Sequence, residues 1–235
     1  MTAERVLVVI PARLHSTRLP EKVLLRKTGR YLMQHVYERA LAIPSADEVV
    51  IATDHPTVAQ AAASFGADAV MTSPDHPSGT DRAAEVARLR PAALVVNLQA
   101  DEPEMEPEDV EALIAGMRQS AAEMGTLVHP DLSEADQLDP SVVKAVVDEQ
   151  GWARDFRREP TPGGRRHLGI YAYRSGFLQR FTELAPSERE QARRLEQMRA
   201  IDHGIPIYAV LARHKGVGID TPGDYSAFVE RWRGS

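Results

Sequence analysis

Short apolar runs rich in β-branched residues recur along this chain, each followed by a helix-like stretch, and that alternation limits the fold more than any other feature. Val6–Ile10 reads as a strand that breaks at Pro11, and Tyr31–Ala42 reads as a helix with Leu32, Val36 and Ala40 on one face. Glu48–Ala52 is a second strand, and the alanine-rich Pro56–Phe65 is a helix that stops at Gly66. Ala69–Met71, then a helix over Thr80–Leu89, then the fully apolar Ala93–Leu98 repeat the pattern. A strand with no polar alternation is buried on both faces, as in parallel sheets flanked by helices. Pro107 suits the first turn of a helix running to Gln119. Strands follow near Thr126–Val128, Val142–Val147 and Leu168–Tyr173. Helices over Phe177–Leu184 and Arg189–His203, a strand at Ile207–Leu211 and a helix from Pro222 complete the order. The predicted class is α/β, a Rossmann-like mixed but mainly parallel sheet. The 235 residues read as one domain whose part from about 125 to 173 is a β-rich subdomain or dimer arm.

In open α/β sheets ligands bind beyond the carboxyl ends of the strands, which directs attention to the loops at 11–22, 53–55, 72–80, 99–106 and 213–221. The first is the most informative. It carries Arg13, Arg18 and Lys22 with Ser16 and Thr17 among them, three cations and two hydroxyls on one loop. Such a loop is either a solvated basic turn or a seat for a polyanion such as a triphosphate. Net charge sharpens the choice. With 34 acids against 28 bases the chain carries −6, so general nucleic-acid or anionic-membrane binding is disfavoured and any anion must be held by a local cluster. Lysine occurs only at 22, 27, 144 and 215, and in so arginine-biased a chain an ammonium at 22 fits phosphate as a compact point charge. The absence of cysteine excludes disulfides, thiolate nucleophiles and cysteine metal sites. No signal-peptide pattern or membrane-length apolar run is present, and a cytoplasmic location is expected.

Two acids stand at other strand ends. Asp101 follows Ala93–Leu98, and Asp220 sits in Gly216-Val-Gly-Ile-Asp-Thr-Pro222. Asp101 is either a ligand of a phosphate-bridging divalent cation or, with Glu102, Glu104, Glu106, Glu108 and Asp109, part of a solvated helix start. Asp220 is either a second ligand or a helix cap. Neither a G-x-x-x-x-G-K-[ST] loop nor a G-x-G-x-x-G turn is present, which excludes P-loop enzymes and argues against dinucleotide dehydrogenases.

Taken together and in order, these segments resemble the bacterial 3-deoxy-manno-octulosonate (Kdo) cytidylyltransferases, the CMP-Kdo synthetases. The resemblance runs through Ile10-Pro-Ala-Arg, Ser16-Thr-Arg-Leu-Pro with Lys22, Gln34-His-Val-Tyr-Glu-Arg39 and Ala52-Thr-Asp54. It continues through Ser78-Gly-Thr-Asp-Arg82, Asn97 with Gln99, Asp101-Glu-Pro103, Val143-Lys144, His167-Leu-Gly-Ile-Tyr171, Leu195-Glu-Gln197 and Gly218-Ile-Asp-Thr-Pro222. It implies the nucleotide-diphosphosugar transferase fold, a homodimer, and CMP transfer from CTP to Kdo with Mg²⁺, releasing pyrophosphate, for lipopolysaccharide synthesis. By the same resemblance Arg18, Lys22, Asp101 and Asp220 are the catalytic residues, with Asp101 and Asp220 the metal ligands. Pro11, Ala12, Arg13, Arg18, Lys22, Met71, Asp75, Ser78, Gly79 and Gln99 are the nucleotide-binding positions. Gln99, Arg158, His167, Tyr171, Glu196 and Gln197 are the sugar-binding positions. Read without it, His167 and Tyr171 are ordinary sheet and core residues and Glu196-Gln197 an exposed helical pair.

The chain also departs from the family pattern. Ala100 and Glu21 stand where glycine is usual, Ser73 where arginine is frequent, and Ala192-Arg193 where an acidic pair is typical. The connection Thr161-Pro-Gly-Gly-Arg-Arg166 is short, which bears on the dimer and on sugar selectivity. Two other readings therefore stand beside Kdo transfer: a related acidic sugar (an amino-Kdo or a sialic-type acid) as acceptor, or a nucleotide-sugar-binding protein without catalysis.

Overall fold

The computed structural model describes residues 4–234, which divide into two compact units. The first comprises residues 4–107 and 216–234, so both ends of the chain build it; the second is 108–215.

The first unit holds four parallel strands, β1 (Val6–Pro11), β2 (Glu48–Thr53), β3 (Ala69–Met71) and β4 (Leu94–Asn97), in the order β3-β2-β1-β4. β1 lies between β2 and β4, and all five residues Val6–Ile10 are fully buried, which is why that run carries no polar alternation. Helices α1 (Leu32–Ala40), α2 (Pro56–Ser64) and α3 (Gly79–Leu89) follow β1, β2 and β3. α2 ends as its composition predicts, with Gly66 at φ 80° just beyond it. The carboxy-terminal helix, α9 (Pro222–Arg233), packs Tyr225, Phe228 and Val229 against Leu19, Leu32 and Ile219. That cluster anchors the loop after β1 to the segment before α9.

The second unit opens at the second residue of α4 (Pro107–Gln119) and continues through β5 (Met124–His129), α5 (Glu134–Leu138), β6 (Lys144–Val147), β7 (Trp152–Arg157) and β8 (Arg165–Arg174). It ends with α6 (Ser175–Glu183), α7 (Glu188–Arg193), α8 (Met198–Asp202) and β9 (Ile207–Leu211). β5 pairs in parallel with β9, and every other pairing is antiparallel. Each of the five strands pairs with two others, so the ladder forms a closed cycle with β6 joined to β8. The sheet is thus mixed, parallel in the first unit and mainly antiparallel in the β-rich second, which spans more than the 125–173 read from sequence.

Two elements differ from the pattern in the sequence. The helical periodicity over Arg189–His203 is broken into α7 and α8, because Arg194 adopts the left-handed conformation (φ 54°, ψ 50°) that ends an α-helix. The strand Trp152–Arg157 is the other. Its three charged residues argue against a buried strand, yet Asp155 is almost fully buried because arginines surround its carboxylate.

Candidate functional site

A polar cavity in the first unit is lined by Pro11, Arg13, Ser16, Thr17, Arg18 and Lys22 from the loop after β1, by Gln99, Ala100 and Asp101 from the loop after β4, and by Asp220. At its centre Lys22 Nζ donates to Asp101 Oδ2 at 2.5 Å and to Asp220 Oδ1 at 3.1 Å, and Arg18 Nη2 donates to Asp220 Oδ1 at 2.8 Å. Three parts of the chain, the outermost 198 residues apart, therefore meet on one ammonium. The backbone fixes the encounter: Ile219 N–H donates to Asp101 O at 2.9 Å, and the Ile219 side chain is buried in the cluster that also holds Leu19. Lys22 sits in a short 3₁₀ turn (Lys22–Leu24) and is only 9% exposed.

The neighbours of the two acids bear on the capping and helix-start alternatives. α9 is capped by Thr221, whose hydroxyl accepts from Asp224 N–H while Asp224 answers in a capping box, so the Asp220 carboxylate is not the cap. Of the acids after Asp101, Glu104 pairs with Arg231, Glu106 with Arg39, and the buried Asp109 accepts from the backbone N–H groups of Arg213 and His214. Those are structural partnerships, whereas Asp101 and Asp220 turn to the cavity. Two carboxylates converging on one point are the donor set Mg²⁺ uses, which takes one or two carboxylates and completes its shell with phosphate oxygens and water. The three cations of the cavity outnumber its two carboxylates by one, far less than a triphosphate needs, and a divalent cation would close much of that gap. The residues fit the ion.

Glu21, the departure beside Lys22, has φ 51° and ψ 31°, a left-handed conformation natural to glycine. Its side chain borders a neighbouring groove with Leu14 and Pro20. Ala100 is buried and lines the cavity, with its methyl group accommodated.

Of the other positions expected to bind nucleotide, Gly79 lies against Pro11 and Gln99. Gly79 approaches Pro11 so closely that a β-carbon there would stand 3.3 Å from two atoms of the proline ring and 3.5 Å from Gln99 Oε1. Gln99 is oriented by Nε2–H donation to Asn97 Oδ1 at 3.0 Å. Ser78 is the N-cap of α3, accepting from Thr80 and Asp81 N–H, so its hydroxyl is already engaged, also with the Asp81 carboxylate. Asp75 and Met71 are exposed, and Ala12 is buried. Arg82 has a role that its sequence context does not announce. It is 3% exposed, donates to Asp54 Oδ2 at 2.8 Å, to Thr72 Oγ1 and to Ser73 O, and so fastens the ends of β2 and β3 to α3. At position 73 the serine hydroxyl accepts from Asp75 N–H, and the backbone N–H donates to Glu85, which also holds His76.

Within the second unit three of the remaining candidates, His167, Tyr171 and Glu196, are connected to β5 and β8. A register shift between Thr126 and Leu127 opposes Tyr171 to Thr126 and Leu168 to Leu127, leaving Gly169 and Ile170 in a bulge. The buried Thr126 hydroxyl staples that bulge, 2.9 Å from Ile170 O, and meets His167 Nε2 at 3.0 Å. Since the hydroxyl gives its single proton to a carbonyl, it accepts from His167 Nε2–H, which leaves Nδ1 as an acceptor. Phe156 and Tyr171 rings stand 5.0 and 5.5 Å from the imidazole, and burial holds its pKa down to about 3. His167 is a neutral hydrogen-bonding group, not a cation. Burial, and next the charge of Glu196, push the Tyr171 phenol up, which places the tyrosine and Glu196 within electrostatic reach. Gln197 is buried beside Glu196. Arg158 is engaged with its own chain: Nε donates to Arg193 O at 2.9 Å, Nη2 to Arg194 O at 3.2 Å and Nη1 to Pro140 O at 2.9 Å. Lys144, fully buried, is a structural lysine whose ammonium donates to Asp139 O and Arg158 O. The short connection before β8 is a closed turn, Gly164 N–H donating to Thr161 O, gripped by Gln137 through both the N–H and the carbonyl of Thr161.

Thr126, which holds His167, and Asp155, which holds Arg193, do not stand out in the sequence. Thr126 carries only a weak signal, one hydroxyl inside an apolar run. Asp155 carries none that separates it from a surface acid.

Comparison with known proteins follows the same lines. The cytidylyltransferase family profile matches residues 7–207. The chain is 45% identical over 227 residues to the 3-deoxy-manno-octulosonate cytidylyltransferase of Escherichia coli, covering 93% of this chain and 92% of that protein. It is 40% identical to the enzyme of the same name from Geobacter sulfurreducens, covering 95% and 97%. A solved structure of CMP:2-keto-3-deoxy-manno-octonic acid synthetase in complex with CTP superposes with a TM-score of 0.94 at 43% identity, over 98% of this chain and 99% of that one.

Proposed function

The chain belongs to the cytidylyltransferase family, and from that premise we propose how its residues perform the reaction. It transfers the cytidylyl group of CTP to Kdo, giving CMP-Kdo and pyrophosphate. The observation that carries the mechanism is the convergence of Lys22, Asp101 and Asp220 beneath a loop that also presents Arg13 and Arg18.

Arg13, Arg18 and Lys22 hold the triphosphate, and their charge stabilises the pyrophosphate as it leaves. Transfer at phosphorus needs little covalent help from a protein; it needs reactants in line and developing charge neutralised by groups already in place. Asp101 and Asp220 would hold Mg²⁺, which supplies Lewis-acid charge at the phosphate oxygens. Gly79 lets the nucleotide loop close on Pro11 and Gln99, and Met71 and Asp75 border the base. In the second unit Glu196, Gln197, Tyr171 and the neutral His167 hydrogen-bond the hydroxyl groups of the sugar acid, while Arg158 is the cation for its carboxylate. The anomeric hydroxyl attacks the α-phosphorus, and the product serves lipopolysaccharide assembly in the cytoplasm, where CTP is made. Two chains form a homodimer. Among the described residues no helix is long and apolar enough to cross a membrane.

The test is pyrophosphate release from CTP and Mg²⁺ with Kdo, with an 8-amino analogue and with a sialic acid. Kdo is expected to give the highest kcat/KM. Preference for either of the other acids would move the assignment to that sugar, and silence with all three would leave only a binding protein.

A further inference from the structure

Glu196 and Gln197 lie on a turn between two short helices, α7 and α8, and the residue that makes the turn, Arg194, carries a side chain in a left-handed conformation. Such a residue reverts to an ordinary conformation unless its surroundings hold it. The restraint comes from β7. Arg193 Nη1 donates to the buried Asp155 Oδ1 at 2.5 Å and to Phe156 O at 2.8 Å, so the last residue of α7 is pinned to the strand immediately before the turn. Asp155 is kept ionised by this partner and by Arg157, with burial working against them, and Arg189 of α7 approaches it at 3.6 Å. Just past the end of β7, Arg158 takes the carbonyls of Arg193 and Arg194 on one guanidinium edge. On the far side of the turn Glu190 and Arg199, both buried, join α7 to α8 by a two-pronged ion pair of 2.6 and 2.9 Å. The turn is therefore braced on both flanks: Arg158 holds the Arg194 carbonyl, and one carboxylate, Asp155, holds the side chain of the residue just before it.

We propose that Asp155 and Arg193 are a positioning pair for the acceptor sugar: they hold the Arg194 turn so that Glu196, Gln197 and Arg158 present one fixed set of groups to it. The charge at 193 has to be positive, because a carboxylate there would face Asp155. The inference rests on the reading of Glu196 and Gln197 as sugar-binding residues.

Asp155→Asn, which keeps the shape and removes the charge, is expected to raise KM for Kdo roughly tenfold while KM for CTP stays within about twofold, as displacement of positioned groups by a fraction of an ångström would do. Arg193→Gln should do the same, and the double variant should be no worse than the poorer single one, since both remove one clamp. Arg194→Gly, which makes the left-handed turn easy, should restore most of the Kdo KM in the Asp155→Asn background and change little alone. Additive effects of the two single changes, or no rescue by Arg194→Gly, would overturn the proposal. So would parallel losses in both KM values, which a general loosening of the fold produces. Should Asp155→Asn fail to fold, Arg193→Gln with and without Arg194→Gly carries the same test. Glu196→Gln and Gln197→Ala run alongside: if they leave the Kdo KM unchanged, the sugar-site reading falls and the proposal with it. If they raise it while Asp155→Asn does not, the positioning pair alone is refuted.

Discussion

Replacing Lys22 by methionine keeps the aliphatic stem in its packing and deletes only the ammonium, so it isolates what that charge does. The Lys22 side chain is 11% exposed, and the carboxylates it joins are 30% (Asp101) and 41% (Asp220) exposed. Removing one member of a fully buried ion pair costs about 3–5 kcal/mol, and the exposure of the two acids reduces that through solvent screening. Arg18 also remains on Asp220 at 2.8 Å, so Asp101 is the acid left uncompensated. The expected loss is about 1–3 kcal/mol, or roughly 2–12 °C in Tm for a chain of this size, measured with metal chelated. Adding Mg²⁺ without nucleotide should then raise the Tm of the variant more than that of the parent, since two converging carboxylates without their ammonium are a better cation site. Turnover should nevertheless fall by about 10²–10³, because the triphosphate loses a positioned charge. The assay is a pair of thermal melts, chelated and with Mg²⁺, beside steady-state pyrophosphate release. Identical melts of parent and variant in both conditions would refute the reasoning, since Lys22 would then neither hold the carboxylates nor compete for their place.

Asp101→Asn should leave the chelated melt within a few °C of the parent yet reduce kcat by orders of magnitude, and near-normal kcat would remove Asp101 from the site. Glu21→Gly should stabilise the fold by up to about 1 kcal/mol in denaturant unfolding, by relieving the left-handed backbone, and lower KM for CTP by removing a negative charge beside the triphosphate loop; an unchanged or poorer KM would contradict this. His35 packs edge-on against Phe228 and Trp232, and burial, then the Arg30 charge, lower its pKa to about 4. The unfolded chain binds that proton near pH 6.5, so the contribution is full above pH 6.5 and is lost as pH falls toward 4, by at most about 3 kcal/mol. His35→Phe should flatten that limb of the stability–pH curve, and a limb of unchanged slope would show that other groups cause it. In the second unit a methyl group on Gly116 would lie 2.8 Å from Val210 Cγ2, and Gly116→Ala should cost about 1–3 kcal/mol in urea unfolding.

Much of this site is legible in the sequence because its pieces follow strands that announce themselves. A doubly buried strand such as Val6–Ile10 has no polar alternation, and the loop that follows it is the place where an α/β sheet binds ligands, so Arg13, Arg18, Lys22 and Asp101 stand out by position. Asp220 is ambiguous in the sequence only because a capping acid and a ligand share one local pattern; Thr221 and Asp224 take the cap and release it. The supporting residues are a different matter. Asp155 and Arg193 are 38 positions apart and look like solvated charges until the fold brings them to 2.5 Å. The periodicity of Arg189–His203 fits one helix, and nothing local marks Arg194 as the residue that leaves it, because the cause lies in β7. Thr126 stapling a bulge is likewise a tertiary event, one hydroxyl satisfying carbonyls more than 40 residues away.

The central claim is that the sugar's own anomeric oxygen attacks the α-phosphorus of CTP held over Lys22, Asp101 and Asp220. Kdo equilibrated with water enriched in oxygen-18 carries the label on that oxygen, and the product can be read by phosphorus NMR and mass spectrometry. The account predicts the label in the bridge between sugar and phosphorus of CMP-Kdo, with unlabelled pyrophosphate. An unlabelled bridge would mean that a phosphate oxygen of CTP had attacked the sugar carbon, and attack by the anomeric hydroxyl would be ruled out.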